Sequence, residues 1–368
     1  MNAMSAGRAA NDGSAAESSP ALEARIRTAK ERLGKALVIL GHHYQKDEVI
    51  QFADYRGDSL KLARDGAANR EARFIVFCGV RFMAETAAIL ASPGQEVLFP
   101  EPDALCPLAE KADLLLVEDA WKQLAGIMNP EADLLPITYI NSEAELKAFC
   151  GARGGAVTTS SNARRILEWA LARRPRVFFF PDQHLGRNTG LRMAIPAERM
   201  PLWDPRLPLG GNAAADLLAA NIILWKGWCY VHERFLPAHI LAVRERIPGV
   251  RVWVHLECTR EVVQLADDAG STADIIRLVE SAPPGTKWAV GTEGNLVHRL
   301  ARQHPEQEIH LLSPDPNNCI TMNKTTLASL VRVTDGLLRG ELVNPIRVPA
   351  ETAEQARIAL ERMLEVGG

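Results

Sequence analysis

The sequence predicts an α/β protein of three similar three-layer αβα domains with parallel sheets, arranged around a pseudo-threefold axis with the active site at the centre. Three observations predict it: short apolar runs alternate with amphipathic stretches, the same order of elements occurs three times, and each copy ends in a cysteine. Alternating strands and helices imply parallel sheets covered by helices, and such sheets bind ligands beyond the carboxyl ends of their strands.

The first copy opens with the apolar run KALVILGHHY and passes to GDSLKLARDGAA, a helix start that Asp58 or Ser59 can cap. The buried-strand run ARFIVFCGV, the helical RFMAETAAILA and a third strand in QEVLFPEPDALCPLA follow, ending at Cys106. The second copy reads LLPITYINS, TTSSNARRILEWALA, PRVFFFPDQHLG and NIILWKGWC, ending at Cys229. The third reads RVWVHLEC, GSTADIIRLVESA, TKWAVGTEGNLVHRLARQ and QEIHLLSPDPNNC, ending at Cys319. From helix-start serine to cysteine the intervals are 47 residues (59 to 106), 69 (160 to 229) and 48 (271 to 319). The surplus of the middle copy falls at about 188–220, a Pro/Gly-punctuated stretch that reads as a surface insertion. The expected organisation is a disordered tail (1–22), three α/β domains (23–112, 113–235 and 236–345) and a C-terminal amphipathic helix (346–368).

Of the 368 residues, 47% are apolar and 24% charged, with a net charge of -3, which is ordinary for a globular protein. No basic stripe points to nucleic acid, no apolar run reaches a membrane span, and the start lacks the apolar run of a signal peptide. The expectation is a cytoplasmic protein without a membrane or nucleic-acid partner. Six cysteines spread through such a chain are reduced thiols rather than a disulfide framework.

Cys106, Cys229 and Cys319 stand apart because each follows its third strand beside turn residues, whereas Cys78 lies inside a strand, Cys150 follows a helix and Cys258 ends a strand. If three like domains meet with their strand ends inward, one thiol from each reaches a common centre. Three thiolates with an open position suit zinc, and equally a 4Fe-4S cluster whose fourth iron lacks a protein ligand. Spacing alone leaves both open. The competing reading is three core cysteines in equivalent places.

Around that centre the first-strand ends supply His42 and Tyr44, Tyr139 and Asn141, and His255 and Glu257, each pair spaced two apart so that both side chains leave on the same side. Histidine, glutamate and tyrosine suit acid-base work. The helix starts carry Ser59, Ser160, Ser271 and Thr272, whose hydroxyls join free backbone amides as anion sites; simple capping is their ordinary role. His232, three residues after Cys229, adds a further proton donor.

The motifs GHHYQ with GDS, CPLA, YINS with TSSNA, PDQHLGRNT, KGWCYVH, VHLEC with GST, GTEGNLVHRL and NNCITMNKTTL resemble the quinolinate synthase family from about residue 25 to 345. The resemblance implies condensation of iminoaspartate with dihydroxyacetone phosphate to quinolinate in NAD biosynthesis, with a functional link to L-aspartate oxidase. It implies a 4Fe-4S cluster with one free iron on Cys106, Cys229 and Cys319. It implies substrate contacts at His42, Tyr44, Ser59, Tyr139, Asn141, Ser160, His232, His255, Glu257, Ser271 and Thr272, with Tyr44, Glu257 and the histidines moving protons. Some members carry Cys-x-x-Cys-x-x-Cys where this chain has a single cysteine in SPDPNNC, so a local disulfide switch is not expected. A cluster-bearing sensor and a zinc-dependent lyase or aldolase are the alternatives of other classes.

Overall fold

The structure, a computed structural model, describes residues 17–367. The apolar runs form three separate parallel sheets. The first contains β1 (Leu37–His42), β2 (Tyr55–Gly57), β3 (Phe74–Cys78) and β4 (Glu96–Leu98) in the order β2-β1-β3-β4. The second contains β5 (Leu134–Tyr139), β6 (Ala156–Thr158), β7 (Arg176–Phe180), β8 (Leu202–Trp203) and β9 (Ile222–Trp225) in the order β6-β5-β7-β9-β8. The third contains β10 (Arg251–His255), β11 (Asp268–Gly270), β12 (Lys287–Gly291) and β13 (Glu308–Leu311) in the order β11-β10-β12-β13. Every ladder pair is parallel. Both faces of the first two sheets' central strands are buried, as helices on either side require: Leu37 and Ile39 of β1 face one apolar cluster, Val38 and Leu40 another.

The first and third units have one strand more than the sequence pattern implies, and the second has two. The short edge strands β2, β6 and β11 each follow a further helix after the first strand (Asp47–Ile50, Ala144–Ala152 and Arg260–Leu265), giving strand, helix, short strand, helix, strand, helix, strand in the first and third units. The stretch expected as a surface insertion also differs: it contributes β8 to the second sheet and buries Met200, Trp203 and Leu217. Trp203 packs edge-on against Phe178, with ring centroids 6.0 Å apart, so part of the insertion is core.

The first 16 residues of the expected tail lie outside the described residues, while Ser19–Leu33 is a helix. Two late helices pack on units other than the one that precedes them. The helix Leu327–Leu338 places Leu327, Leu330, Val333 and Leu337 in a cluster with Ile26, Ile39, Val76 and Leu98 of the first unit. The helix Ala350–Val366 packs on Ala144–Ala152 of the second, burying Ala356, Ala359, Leu360 and Met363. Leu360 and Met363 each contribute about 1.5–3 kcal/mol by burial. The approach is close enough that a Cβ on Gly151 would lie 1.9 Å from the Gln355 carbonyl oxygen, so only glycine fits. Among the described residues no helix is long and apolar enough to cross a membrane.

Candidate active site

Strand register makes the three sets of site residues comparable. The last residues of the first strands, His42, Tyr139 and His255, pair with the last residues of the edge strands, Gly57, Thr158 and Gly270. Two residues beyond the first strands stand Tyr44, Asn141 and Glu257, and two beyond the edge strands stand Ser59, Ser160 and Thr272. The register therefore replaces Ser271 with Thr272 as the third counterpart of Ser59. The hydroxyl-to-cysteine interval becomes 47 residues in both the first unit (59 to 106) and the third (272 to 319).

A cavity opens at these strand ends, and all three units line it. It brings together His42, Tyr44, Ser59, Cys106, Tyr139, Asn141, Ser160, Cys229, His232, His255, Glu257, Thr272 and Cys319. Ser271 is not among its lining residues. It is fully buried and caps the helix Thr272–Ser281, accepting the Asp274 N–H and donating its own hydroxyl to the Asp274 carboxylate. Ser59 and Thr272 open their helices, whereas Ser160 lies in the turn before a helix that starts at Ala163. Asp58 caps the first helix through the Lys61 N–H, and its other oxygen takes the Ser161 hydroxyl of the second unit at 2.6 Å.

The three cysteines that line the cavity are half-buried, while Cys78, Cys150 and Cys258 are buried elsewhere, Cys150 within a helix rather than after one. Burial pushes the Cys106 thiol up to about 12, against backbone N–H groups of Ala109 and Leu108 that point at its sulfur. Burial also raises the Cys229 thiol well above its usual value, with the charges of Glu257, Cys106 and Cys319 adding to it and the His232 N–H opposing. Thiols packed this way bind metal as thiolates only if the metal's charge offsets the cost, and sulfurs that accept backbone N–H groups are the donors that thiophilic metals and iron-sulfur clusters use. The residues present fit such a group. Glu293, buried, holds one cysteine backbone in place by accepting the N–H groups of Leu296 and Cys319, the last at 3.1 Å, while Asp182, also buried, accepts that of Leu185. Each caps the helix that follows its unit's second central strand. A different donor set also draws close, since ligand atoms of Cys229, His232 and Glu257 all lie within 4.8 Å of one another.

Glu257, 3% exposed, is the centre of the polar side. One carboxylate oxygen accepts the Tyr139 hydroxyl and the other the His232 Nδ1–H at 2.9 Å. His232 Nε2 lies 3.1 Å from the Thr292 hydroxyl, which lies 3.0 Å from the Tyr44 hydroxyl, itself 2.8 Å from that of Thr272. The chain of contacts is thus Tyr139, Glu257, His232, Thr292, Tyr44, Thr272. Burial opposes the Glu257 charge, but the imidazoles of His232 and His255 and the two hydrogen bonds outweigh it and hold the carboxyl down at about 2. Burial, then the Glu257 charge, raise both Tyr44 and Tyr139 well above the usual phenol value, so both remain O–H donors.

His42 and His255 are neutral by the same device. Burial first, then nearby positive groups, pulls each imidazole down to about 3. The Nδ1 of His42 accepts the Tyr44 N–H at 3.1 Å, and that of His255 the Glu257 N–H at 3.2 Å, which leaves Nε2–H as each ring's donor. His255 stacks on His232 with centroids 4.3 Å apart.

Sequence reasoning missed Thr292, Asp182 and Glu293, which are fully buried, and Asp58 and Thr159, which line the cavity. The first three stand just past the second central strands, β7 and β12, where the copies share no residue type: Gly79 and Val80 in the first unit, Pro181 and Asp182 in the second, Thr292 and Glu293 in the third. The helix-start reading found Asp58 only as a cap.

Similarity to known proteins covers this same ground. Residues 24–365 match the family described as Quinolinate synthetase A protein. The quinolinate synthase of Rhodopirellula baltica is 51% identical over 356 residues, 94% of this chain and 91% of its own. That of Anoxybacillus flavithermus is 50% identical over 343 residues, 93% of each chain, and that of Geobacillus kaustophilus 51% over 345 residues, 94% of this chain and 93% of its own. With the match running from the first described helix to the last, the chain belongs to the quinolinate synthetase A family of enzymes.

Proposed function

We propose that this enzyme condenses iminoaspartate with dihydroxyacetone phosphate to give quinolinate, phosphate and two waters, in cytoplasmic NAD biosynthesis. The single observation that carries the reading is one cavity lined by a cysteine, a strand-end pair and a hydroxyl from each of three like units. Three equivalent inputs to one cavity also support the pseudo-threefold arrangement. The instability of iminoaspartate implies supply by an L-aspartate oxidase.

Cys106, Cys229 and Cys319 would hold a 4Fe-4S cluster, which supplies a Lewis-acidic iron free of protein ligands in a reaction that is redox-neutral overall. The hydroxyls of Ser59, Ser160 and Thr272 hold carboxylate and phosphate oxygens. His42 and His255 donate Nε2–H to substrate oxygens without adding charge. Asn141 offers both a donor and an acceptor. Glu257 is the proton sink of the cavity: as Tyr44 takes a substrate proton, its own hydroxyl proton shifts through the Thr292 hydroxyl and His232 to the Glu257 carboxylate, and Tyr139 donates at its other oxygen. The relay places a donor at each end of one buried charge, which imine formation and dehydration both need.

The close group Cys229, His232 and Glu257 favours a second reading, a single zinc in a lyase. It would require Glu257 and His232 to give up their mutual hydrogen bond. Anaerobic purification with iron, zinc and sulfide analysis separates the two. About four irons per chain, lost in Cys106→Ser, Cys229→Ser and Cys319→Ser but kept in Cys150→Ser, together with quinolinate formation, is the expected outcome. A colourless zinc protein indifferent to Cys106→Ser would overturn it.

A further inference from the structure

Two buried side chains, each from the helix after the second central strand of one unit, grip the backbone beneath a polar site residue of the next. Asn188, 2% exposed, lies in the helix Gln183–Arg192, and its amide donates to the Leu256 and Cys258 carbonyls at 2.8 Å each. Those residues flank Glu257. Arg299, 7% exposed, lies in the helix Gly294–Gln303 and donates to the His43 carbonyl at 2.8 Å and the Gln45 carbonyl at 2.6 Å. Those residues flank Tyr44. The match is one of position as well as kind, since Asn188 and Arg299 each stand six residues past their helix caps, Asp182 and Glu293, and Glu257 and Tyr44 each stand two past their strand ends.

Two donors on one rigid group, fastened to the carbonyls on either side of a residue, fix the peptide planes that aim its side chain. Arg299 is itself held by Asp47 at 2.6 Å. In the second unit the corresponding arch, at Asn141, is secured differently: Lys147 of the unit's own helix, fully buried, donates to the Ser142 carbonyl, and Glu85 of the first unit accepts the Ala144 N–H at 3.3 Å. Burial of an arginine head and an amide, with every one of these carbonyls reached, is costly unless the geometry they impose is used.

We infer that Asn188 and Arg299 are positioning residues that set Glu257 and Tyr44 at the two ends of the proton relay, each acting across a boundary between units. The inference rests on the proposed function, because it assigns those two groups to proton transfer. Its consequence is that loss of either clamp lowers turnover with little change in substrate affinity, since neither Asn188 nor Arg299 lines the cavity.

The experiment compares kcat and KM for quinolinate formation by the wild type, Asn188→Ala, Asn188→Asp, Arg299→Met and Arg299→Lys, each checked for iron and sulfide content and for its thermal unfolding midpoint. Expected is a fall in kcat of about 100-fold in Asn188→Ala, Asn188→Asp and Arg299→Met, the scale of a displacement near 1 Å, with KM little changed. Arg299→Lys, which keeps the charge facing Asp47 and one donor, recovers about tenfold of that loss. An unchanged kcat in folded, cluster-replete Asn188→Asp and Arg299→Met overturns the clamp, and so does a loss that follows only the unfolding midpoint without rescue by lysine. If Asn188→Ala or Arg299→Met does not fold, Asn188→Asp and Arg299→Lys decide by the same criteria. A wild type that forms no quinolinate overturns the functional reading and the clamp with it, whereas an active wild type beside unaffected variants overturns the clamp alone.

Discussion

The first and third units present the same backbone with opposite chemistry. His42 and Tyr44 occupy the strand-end positions that His255 and Glu257 occupy in the third, and in both the histidine Nδ1 accepts the N–H of the residue two ahead, at 3.1 and 3.2 Å. Both imidazoles are held neutral, down to about 3 by burial. Beyond them the units part: a phenol that stays protonated stands where the other has a carboxylate held at about 2. The fold sets where a group stands and in which tautomer its neighbour waits. The side chain alone decides whether the position gives or takes a proton.

The largest effect is expected from erasing that difference. Glu257→Gln keeps the shape and the Tyr139 and His232 contacts but removes the one charge held low in the network, and turnover should fall by about 10³-fold with iron content unchanged. Steady-state assay of quinolinate formation checks it, and a variant within a few-fold of wild type would mean that the two strand ends are chemically interchangeable after all.

Next in size is the response to acid. The folded chain refuses protons at His42 and His255 until about pH 3, whereas the unfolded chain takes them near 6.5. Between those values the unfolded state binds more protons, so stability rises with pH and is lost as pH falls below about 6.5. The loss is roughly 2 kcal/mol per buried imidazole by pH 5. Glu257, whose carboxyl is held at about 2 instead of 4.5, has the same sign in a lower window: its stabilisation is complete above 4.5 and fades toward 2. Denaturant unfolding midpoints measured from pH 7.5 to 4 should fall for the wild type and fall less for His42→Gln and His255→Gln. Glu257→Gln should leave the slope above pH 5 intact.

The comparison also explains what was legible in the sequence. Apolar runs such as VLFP and FIVFC and their order expose the repeat, because burial on both faces of a strand leaves a continuous signal. The edge strands were not legible, since three residues such as Tyr55–Gly57, two of them exposed, leave no pattern. Ser271 and Thr272 are both named and the interval is counted from Ser271, because a helix-start motif does not distinguish a cap from the next residue; only the pairing of His255 with Gly270 does so. The helices Leu327–Leu338 and Ala350–Val366 announce an apolar face, and nothing in their period says which unit it meets. Asn188 and Arg299 were quoted within motifs without a role, for their partners are carbonyls, which every residue has.

The smallest effect, and the sharpest test of the difference between units, concerns Thr292. Its hydroxyl is the link between His232 and Tyr44, and its counterpart in the first unit is Gly79, where an added Cβ would lie 2.7 Å from the Phe77 ring and 3.0 Å from the Met83 sulfur. The first unit has no room for a hydroxyl there, so the relay has only this one bridging alcohol at that position. Thr292→Val keeps the branched shape and removes the oxygen, which leaves Tyr44 its bond to Thr272 and His232 its bond to Glu257 but separates the two halves. Turnover should drop about tenfold, the worth of one hydrogen bond of about 1.4 kcal/mol, and Thr292→Ser should restore it. If valine and serine behave alike in kcat, Tyr44 and Glu257 exchange no proton through this path, and the phenol of the first unit works independently of the carboxylate of the third.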